Sequence, residues 1–255
     1  HEHRPAARPA KTTSLTAVMA AKKGSFTVVN GWERVEYFKP SEDFQPSLSF
    51  HFDETFDIVA REVINVRDNV GLCEVNGFNR FEITGSDSQS FIDRLFCGNI
   101  THKPGRVGLG YLLNDFGMVK SEAPIANIPA SDRGPNRMWY GSAAASEFHD
   151  MDWLSQHINP DENVKIKSLT NDQTTLIVAG PKAREVISAC SREDWSKEAF
   201  PWLSVRECFI GFSAATVMSV SFSGELDYEV HVPNSSLYAA YLSLSKAGKE
   251  YGVTL

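Results

Sequence analysis

Apolar residues recur at helical spacing in one long stretch and alternate with polar ones in several short stretches. Over residues 56–72, Ile58, Val59, Val63, Val66 and Val70 fall on one side of a helical repeat, which predicts an amphipathic helix of about four turns. Phe81 and Ile83 alternate with Arg80 and Glu82, the pattern of a half-buried strand. Gly85 breaks it, Ser86 or Asp87 can cap, and 88–100 reads as a helix. Residues 105–128 read as two strands joined by a tight turn at Asn114–Gly117. After a loop at 129–135 come a strand (137–143), a helix (147–158), two strands (164–170 and 174–180) and a helix (181–190). The last third adds a strand over 215–222, a turn at Ser223–Gly224, a strand over 227–233 and a helix over 235–252.

The beginning reads differently. Residues 1–24 have few bulky apolar groups and predict a loose arm with one short helix over 13–24, stopped by Gly24. Residues 25–56 hold a brief strand at 26–29, then pass through aromatics and prolines without a period. Such a segment builds no core of its own and is expected to lie across another domain's surface. The first residue is not Met, no apolar leader follows, and the end carries no closing polar tail, so the chain reads as a fragment or cleaved subunit.

An internal echo bears on the architecture. FEITGSDSQSFIDRL and TLIVAGPKAREVISA share one plan: strand, Gly, a few small or polar residues, helix. Their separation of about 95 residues suits two related αβ lobes better than a solenoid. With few βαβ crossovers and many short strands, the expected class is α+β with antiparallel sheets.

Composition narrows the function. The 255 residues are 42% hydrophobic and include 16 Phe, which excludes disorder for most of the chain. The net charge of −7 opposes a nucleic-acid footprint, and no apolar run approaches the roughly 20 residues of a membrane span. Cys73, Cys97, Cys190 and Cys208 stand far apart without CxxC spacing and read as reduced thiols, as in the cytoplasm or, in a eukaryote, the mitochondrial matrix.

Candidate chemistry is sparse. GRVGLG at 105–110 leads into a strand and lacks the helix N-terminus a pyrophosphate needs. Glu147, His149, Asp150 and Asp152 read as a helix start dressed with carboxylates, not a metal site. His1 and His3 are incidental residues of the arm, and His231 lies on the side of its strand opposite Val230 and Val232. Two carboxylates stand out. Glu225 follows a Gly turn after a strand with Met218, Val220 and Phe222 on one side and Ser219, Ser221 and Ser223 on the other. Small hydroxyls leading to a carboxylate would form a pocket wall able to take a flat amidine-like edge; the bland alternative is a solvated hairpin turn. Glu122 follows the Asn114 turn and precedes an apolar run. Facing a cavity, it would suit proton transfer to an amine or iminium; facing out, it is an ordinary strand-edge glutamate.

Five blocks in order, GWERVEYF, VRDNVGLCEVNGFNRFEITGSDSQSFIDRLF, VGLGYLLNDFGMVKSE, PWLSVRECFIG and SFSGELDYEVHVP, carry a resemblance. The chain from about Gly31 onward is similar to the folate-dependent aminomethyltransferase region of dimethylglycine and sarcosine dehydrogenases, itself related to the T-protein of the glycine cleavage system. The resemblance implies a T-protein-like fold over 57–255, its C-terminal barrel missing, with 1–56 as a tail leaving an upstream FAD domain. It implies that FAD oxidises an N-methyl amine to an iminium, and that tetrahydrofolate captures the one-carbon unit as 5,10-methylenetetrahydrofolate. Glu225 takes the family's pterin-holding position, and Glu122 its acidic position near the reacting nitrogens. Asn114, Tyr111 and Phe222 fall in the same two blocks as candidate folate contacts. The partners implied are a small amine, folate, the FAD domain and the barrel, with no nucleic acid and no membrane.

The chain departs from that pattern in places. Glu122 stands for the usual Asp, Gly117–Met118 for Gly-Gly, and Leu109 for a Tyr, with Tyr111 two positions on. Phe222 keeps a ring but lacks a tyrosine's hydroxyl. These changes leave two alternatives open: a folate-binding module without catalysis, and a folate-dependent demethylase acting on another methyl donor.

Overall fold

The computed structural model describes residues 5–47, 49–98 and 100–255. Near the start lie α1 (Thr16–Ala21), the hairpin β1 (Gly24–Val29) and β2 (Trp32–Phe38), α2 (Glu54–Asp68) and β3 (Val70–Val75). Then come β4 (Phe78–Thr84), α3 (Ser88–Leu95), β5 (Phe96–Cys97), β6 (Arg106–Leu113) and β7 (Val119–Ile128). β8 (Arg137–Ala143), α4 (Glu147–Gln156), β9 (Lys165–Ser168), β10 (Gln173–Ala179) and α5 (Ala183–Cys190) follow. The last elements are β11 (Val205–Ile210), β12 (Ser213–Met218), β13 (Asp227–Pro233), α6 (Leu237–Gly248) and β14 (Val253–Thr254).

Two six-stranded sheets organise the chain. The first runs β11-β12-β13-β10-β3-β14 and the second β5-β6-β7-β8-β4-β9. Every pairing is antiparallel except β14 with β3. This is the expected α+β class, and the described residues close no barrel.

The internal echo is structural. β10, α5, β11, β12 and β13 repeat the order and pairing of β4, α3, β6, β7 and β8. Phe91 and Ile92 follow Gly85 by six and seven positions and sit in the second sheet's core. Val186 and Ile187 follow Gly180 by the same six and seven and sit in the first sheet's core. Both glycines have a left-handed φ, +117° and +123°. A Cβ would also meet backbone at each, Asn163 O at 1.9 Å and Val66 O at 2.4 Å, so only Gly lets the strand turn into its helix there.

Alternation along each strand gives each sheet two faces. Phe81, Ile83, Leu112, Ile125 and Tyr140 turn toward α3 and α4. Leu72, Leu176, Val178, Val217 and Val230 turn toward α5 and α6. The helix-free faces meet each other in part: Val107, Ala126, Ile128 and Trp139 of the second sheet pack with Val205 and Met218 of the first.

Several elements differ from expectation. The arm read over 1–24 is not loose among its described residues, and part of the stretch 25–56 lies against this chain's own first sheet. Leu15, fully buried, and Met19 enter the first sheet's core, with Phe26, Val35 and Phe38 packed against it. β2 escaped notice because its buried positions include Glu33, whose charge is answered by Arg8, with Nε 3.0 Å from Oε1. α2 stops at Asp68: Asn69 leaves helical geometry, and Asn65 Nδ2 donates to Val70 O at 3.1 Å, so 70–75 become a strand. Val70 matched the helical spacing only because its strand face is also buried. α3 ends at Leu95 and gives way to β5, and Asn99 lies outside the described residues. β11 falls in a stretch read without structure. β12 ends at Met218, short of Phe222. His1 and His3 also lie outside the described residues.

Candidate functional site

Tyr111 and Glu122 are brought together. They are direct register partners in the β6–β7 pair, beside Leu109 opposite Pro124. All four share the helix-free face of the second sheet, because Val107 and Ala126, two steps further along, pack toward the first sheet. Tyr111 is half-buried, while Leu109, Glu122 and Pro124 are exposed. This is a carboxylate framed by a ring and two apolar side chains. The enclosure imagined around Glu122 is not formed by the described residues.

Asn114 serves the turn that carries this pair. Its Oδ1 accepts from Phe116 N at 3.0 Å and Met118 N at 2.9 Å, and Gly117 N donates to its carbonyl at 2.9 Å. With its side-chain oxygen committed, Asn114 is a structural cap for the β6–β7 turn.

The expected wall of serines ahead of Glu225 is not a strand face. Residues 219–226 form an irregular loop, because Ser221 Oγ accepts from Gly224 N at 3.0 Å and Gly224 takes φ +85°. Phe222 is fully outside, at 106% exposure, and lines nothing among the described residues. Glu225 is half-buried at the loop's end, and no described group hydrogen-bonds its carboxylate.

Glu225 is followed by a carboxylate pair that escaped the sequence reading, Asp227 and Glu229, on the helix-free side of β13. Burial, then the charge of Glu229, lifts the Asp227 carboxyl to about 7. Its Oδ1 is buried without a partner. Burial also pushes Glu229 up, but the hydrogen bond from His231, with the charge of Arg80, outweighs it and holds Glu229 below the usual range. His231 is buried and hydrogen-bonded through both ring nitrogens, and its ring packs on Trp139 of the second sheet with centroids 4.9 Å apart. The signal was the charge alternation in DYEVHVP, three titratable residues on one side of a strand otherwise apolar.

The helix start at 147–150 hides a second surprise. Asp150 is fully buried, and its Oδ2 accepts from Tyr140 OH at 2.5 Å, Ser142 Oγ at 2.5 Å, Ser121 Oγ at 3.2 Å and Asn79 Nδ2 at 3.4 Å. Its Oδ1 meets His149 Nδ1 at 3.0 Å. Burial acts to raise its carboxyl, and the hydrogen bonds from Ser142, Tyr140, His149 and Ser121 together hold it low. This hub pins β4, β7 and β8 from behind the face that carries Glu122. Its sequence trace was the i, i+4 relation to buried Leu154.

Two surface cavities lie elsewhere. One of about 310 Å³ opens near Gly105, Pro129, Ser204 and Arg206, and one of about 450 Å³ near Arg184, Ser188 and Tyr251. Arg206 in the first is committed to Asp194 O at 2.8 Å and Ala199 O at 3.2 Å. No group of three or more His, Cys, Asp or Glu among the described residues could hold a metal ion. No described helix is long and apolar enough to cross a membrane.

Residues 15–255 match the family described as the GCVT N-terminal domain. The mitochondrial dimethylglycine dehydrogenase of Rattus norvegicus is 30% identical over 254 residues, covering 99% of this chain and 29% of that protein. The sarcosine oxidase subunit alpha of Rhizobium meliloti (strain 1021) is 32% identical over 241 residues, covering 92% of this chain and 23% of that one. The chain therefore spans less than a third of these relatives. The glycine cleavage system aminomethyltransferase T from Bartonella henselae superposes with a TM-score of 0.74 at 17% identity, over 96% of this chain and 58% of that one. At that identity the likeness speaks for the fold.

Proposed function

Because the chain belongs to the GCVT N-terminal domain family, as a T-protein-like aminomethyltransferase domain related to the dimethylglycine and sarcosine dehydrogenases, we propose that it binds tetrahydrofolate between its two sheets and transfers a one-carbon unit to it. The observation that carries this reading is the pairing of Tyr111 with Glu122 on the face that meets the first sheet, whose β13 is preceded by Glu225. The residues fit such a group. A pterin is flat and rich in N–H donors. Glu225 has a carboxylate that no described residue engages, and Leu109, Tyr111 and Pro124 offer ring-sized apolar contact beside Glu122.

Glu225 accepts N–H bonds from the pterin edge and orients it. Glu122 attracts a cationic iminium and moves a proton at its nitrogen. Tyr111 packs against the folate. Asn114 holds the turn that presents Tyr111 and Glu122, and Phe222, standing free of the fold, is the remaining candidate for an apolar folate contact. Bound tetrahydrofolate supplies the nucleophilic nitrogen that takes up the one-carbon unit as 5,10-methylenetetrahydrofolate. In the longer protein we propose that the iminium comes from FAD-dependent oxidation of dimethylglycine, sarcosine or a related amine. Residues 1–56 lead from that oxidative domain, 57–255 bind folate, and a barrel follows. The compartment is the cytoplasm, or the mitochondrial matrix in a eukaryote.

A second reading is favoured by the openness around Glu122: a folate-binding module that performs no transfer. Tetrahydrofolate titrated into the chain and followed by tryptophan fluorescence tests the first step. Glu225→Gln is expected to weaken binding at least ~10-fold, about one charged hydrogen bond. Wild type that fails to bind even within the full-length protein removes the folate reading. With dimethylglycine oxidised in the full-length protein as the iminium source, Glu122→Ala is expected to slow formation of 5,10-methylenetetrahydrofolate by roughly 10²–10⁴. An unchanged rate in that variant selects the non-catalytic module.

A further inference from the structure

The two carboxylates assigned above come from different lobes, Glu122 from the second sheet and Glu225 from the loop leading into the first. Their separation is set by whatever fixes one sheet on the other. Apolar packing between the helix-free faces supplies contact but little direction. Polar residues cross the gap at two places: Arg137 of β8 reaches Glu207 of β11, and Arg80 of β4 reaches β3 and β10, beside the carboxylates of β13. Arg80, only 2% exposed, stands on β4 in register with Gly141 of β8, hence on the helix-free face. Its Nη2 donates to Val75 O at 3.2 Å and to Thr175 Oγ1 at 2.7 Å, and its Nη1 donates to Gln173 O at 3.4 Å. Val75 and Thr175 belong to β3 and β10 of the first sheet, and Gln173 opens β10, so the Arg80 guanidinium straps β4 to both strands.

The strap continues. Thr175 is the register partner of His231, and its Oγ1 lies 2.9 Å from His231 Nδ1. His231 Nε2 lies 3.1 Å from Glu229 Oε2. The protons can run one way along this line. Arg80 has only donors, so Thr175 accepts from it and gives its own proton to Nδ1; His231 then carries its proton on Nε2 and donates to Glu229. Burial of the imidazole, which favours the neutral ring over the pull of Glu229, agrees with that arrangement. Trp139 lies over the His231 ring and stops it turning. The line ends at a carboxylate whose side chain is 30% exposed, on the same face of β13 as Asp227.

We infer that Arg80, acting through Thr175 and His231, is a positioning residue at the contact between the sheets: it helps fix the lobe bearing Glu122 on the lobe bearing Glu225, and it holds Glu229 in one orientation on the acidic side of β13. This rests on the folate reading for its ligand but not for its geometry. A purely structural Arg80 would need the carbonyls of Val75 and Gln173 and nothing beyond Thr175. The ordered continuation to Glu229 is what a positioning role adds.

Thr175→Val severs the line while leaving Arg80 its two carbonyls. Thr175→Ser keeps the hydroxyl, and Glu229→Gln alters only the exposed end. In the full chain titrated with tetrahydrofolate, Thr175→Val and Glu229→Gln are each expected to weaken binding ~10-fold. Thr175→Ser should bind like wild type, and the Thr175→Val/Glu229→Gln pair should bind no more weakly than either single variant. In ¹⁵N spectra the His231 ring should show the Nε2–H form in wild type and a mixture of tautomers in Thr175→Val. Wild-type affinity in a folded Thr175→Val, or additive losses in the pair, overturns the inference. Should wild type itself fail to bind, the folate reading falls separately. The His231 ring signals and the inter-lobe residual dipolar couplings then decide, and identical values in wild type and Thr175→Val overturn the positioning role.

Discussion

Tyr111 and Glu122 face each other across the β6–β7 pair, an aromatic ring and a carboxylate in direct register on a face turned away from the helices. Neither is needed for the core. Tyr111→Phe and Glu122→Gln are therefore expected to leave the unfolding free energy within about 0.5 kcal/mol of wild type. Urea melts check this, and a larger loss would show that the pair is structural and not kept for a ligand.

Asp150 presents the opposite case. Its removal takes from Tyr140, Ser142, Ser121 and Asn79 their common buried acceptor. Asp150→Ala is expected to cost about 3–5 kcal/mol in denaturant melts. Its carboxyl is held below the ordinary 3.8, so its contribution is present above that pH and is lost as pH falls through the lower folded value. Wild type should lose stability in acid more steeply than Asp150→Asn.

Asp227 carries the opposite sign. Its folded value of about 7 stands above the ordinary 3.8, so the folded chain holds the proton more tightly. The associated stabilisation is full below 3.8 and disappears as pH rises through about 7. Between those limits stability should fall by about 4 kcal/mol from this group. Asp227→Asn, which cannot ionise, should flatten that part of the pH profile; a slope unchanged in the variant would refute the assignment.

Gly141 is kept small by its neighbour. A Cβ there would sit 2.4 Å from Trp139 Cη2, in a ring already packed on His231. Gly141→Ala is expected to cost about 1–3 kcal/mol by overpacking, and also to shift the His231 ring resonances. Undisturbed resonances would mean that Trp139 does not hold the imidazole.

Leu15 makes the early segment part of the fold. Leu15→Ala should cost about 2–5 kcal/mol, with loss of near-ultraviolet signal from Tyr241 and Trp195 of the same core. A stability equal to wild type would return residues 11–38 to the status of a surface tail.

Much of this fold was legible because single-faced burial leaves a period. Phe81 and Ile83 announced β4, and the two strand–Gly–helix units announced two lobes. What stayed hidden has a common cause. β3 and α2 share a junction at Asn69, where buried Val70 satisfies both periods at once. β2 buries Glu33, and β13 sets His231 between apolar neighbours, so polar residues that are paired in the interior look like surface in the sequence. The same blindness concealed Asp150 and Arg80, whose partners lie 29 to 95 positions away in Ser121, Asn79 and Thr175. Glu122 and Tyr111 came from a turn block that fixes a hairpin register. The strand expected to reach Phe222 stops at Met218 because a loop with Gly224 in the left-handed region takes its place.

The strand orders also dictate a sequence of assembly. The second sheet draws all its strands from one uninterrupted stretch, residues 78–168, whereas the first takes β3 before that stretch and the rest after it. During synthesis the inner lobe has every strand it needs while β3 is still waiting for β10. The outer lobe then closes around a finished neighbour, at the cost of long-range pairing that slows its folding. Arg80, already in place on β4, meets Thr175 only at that late step, so the two halves are joined in the same event that completes the first sheet.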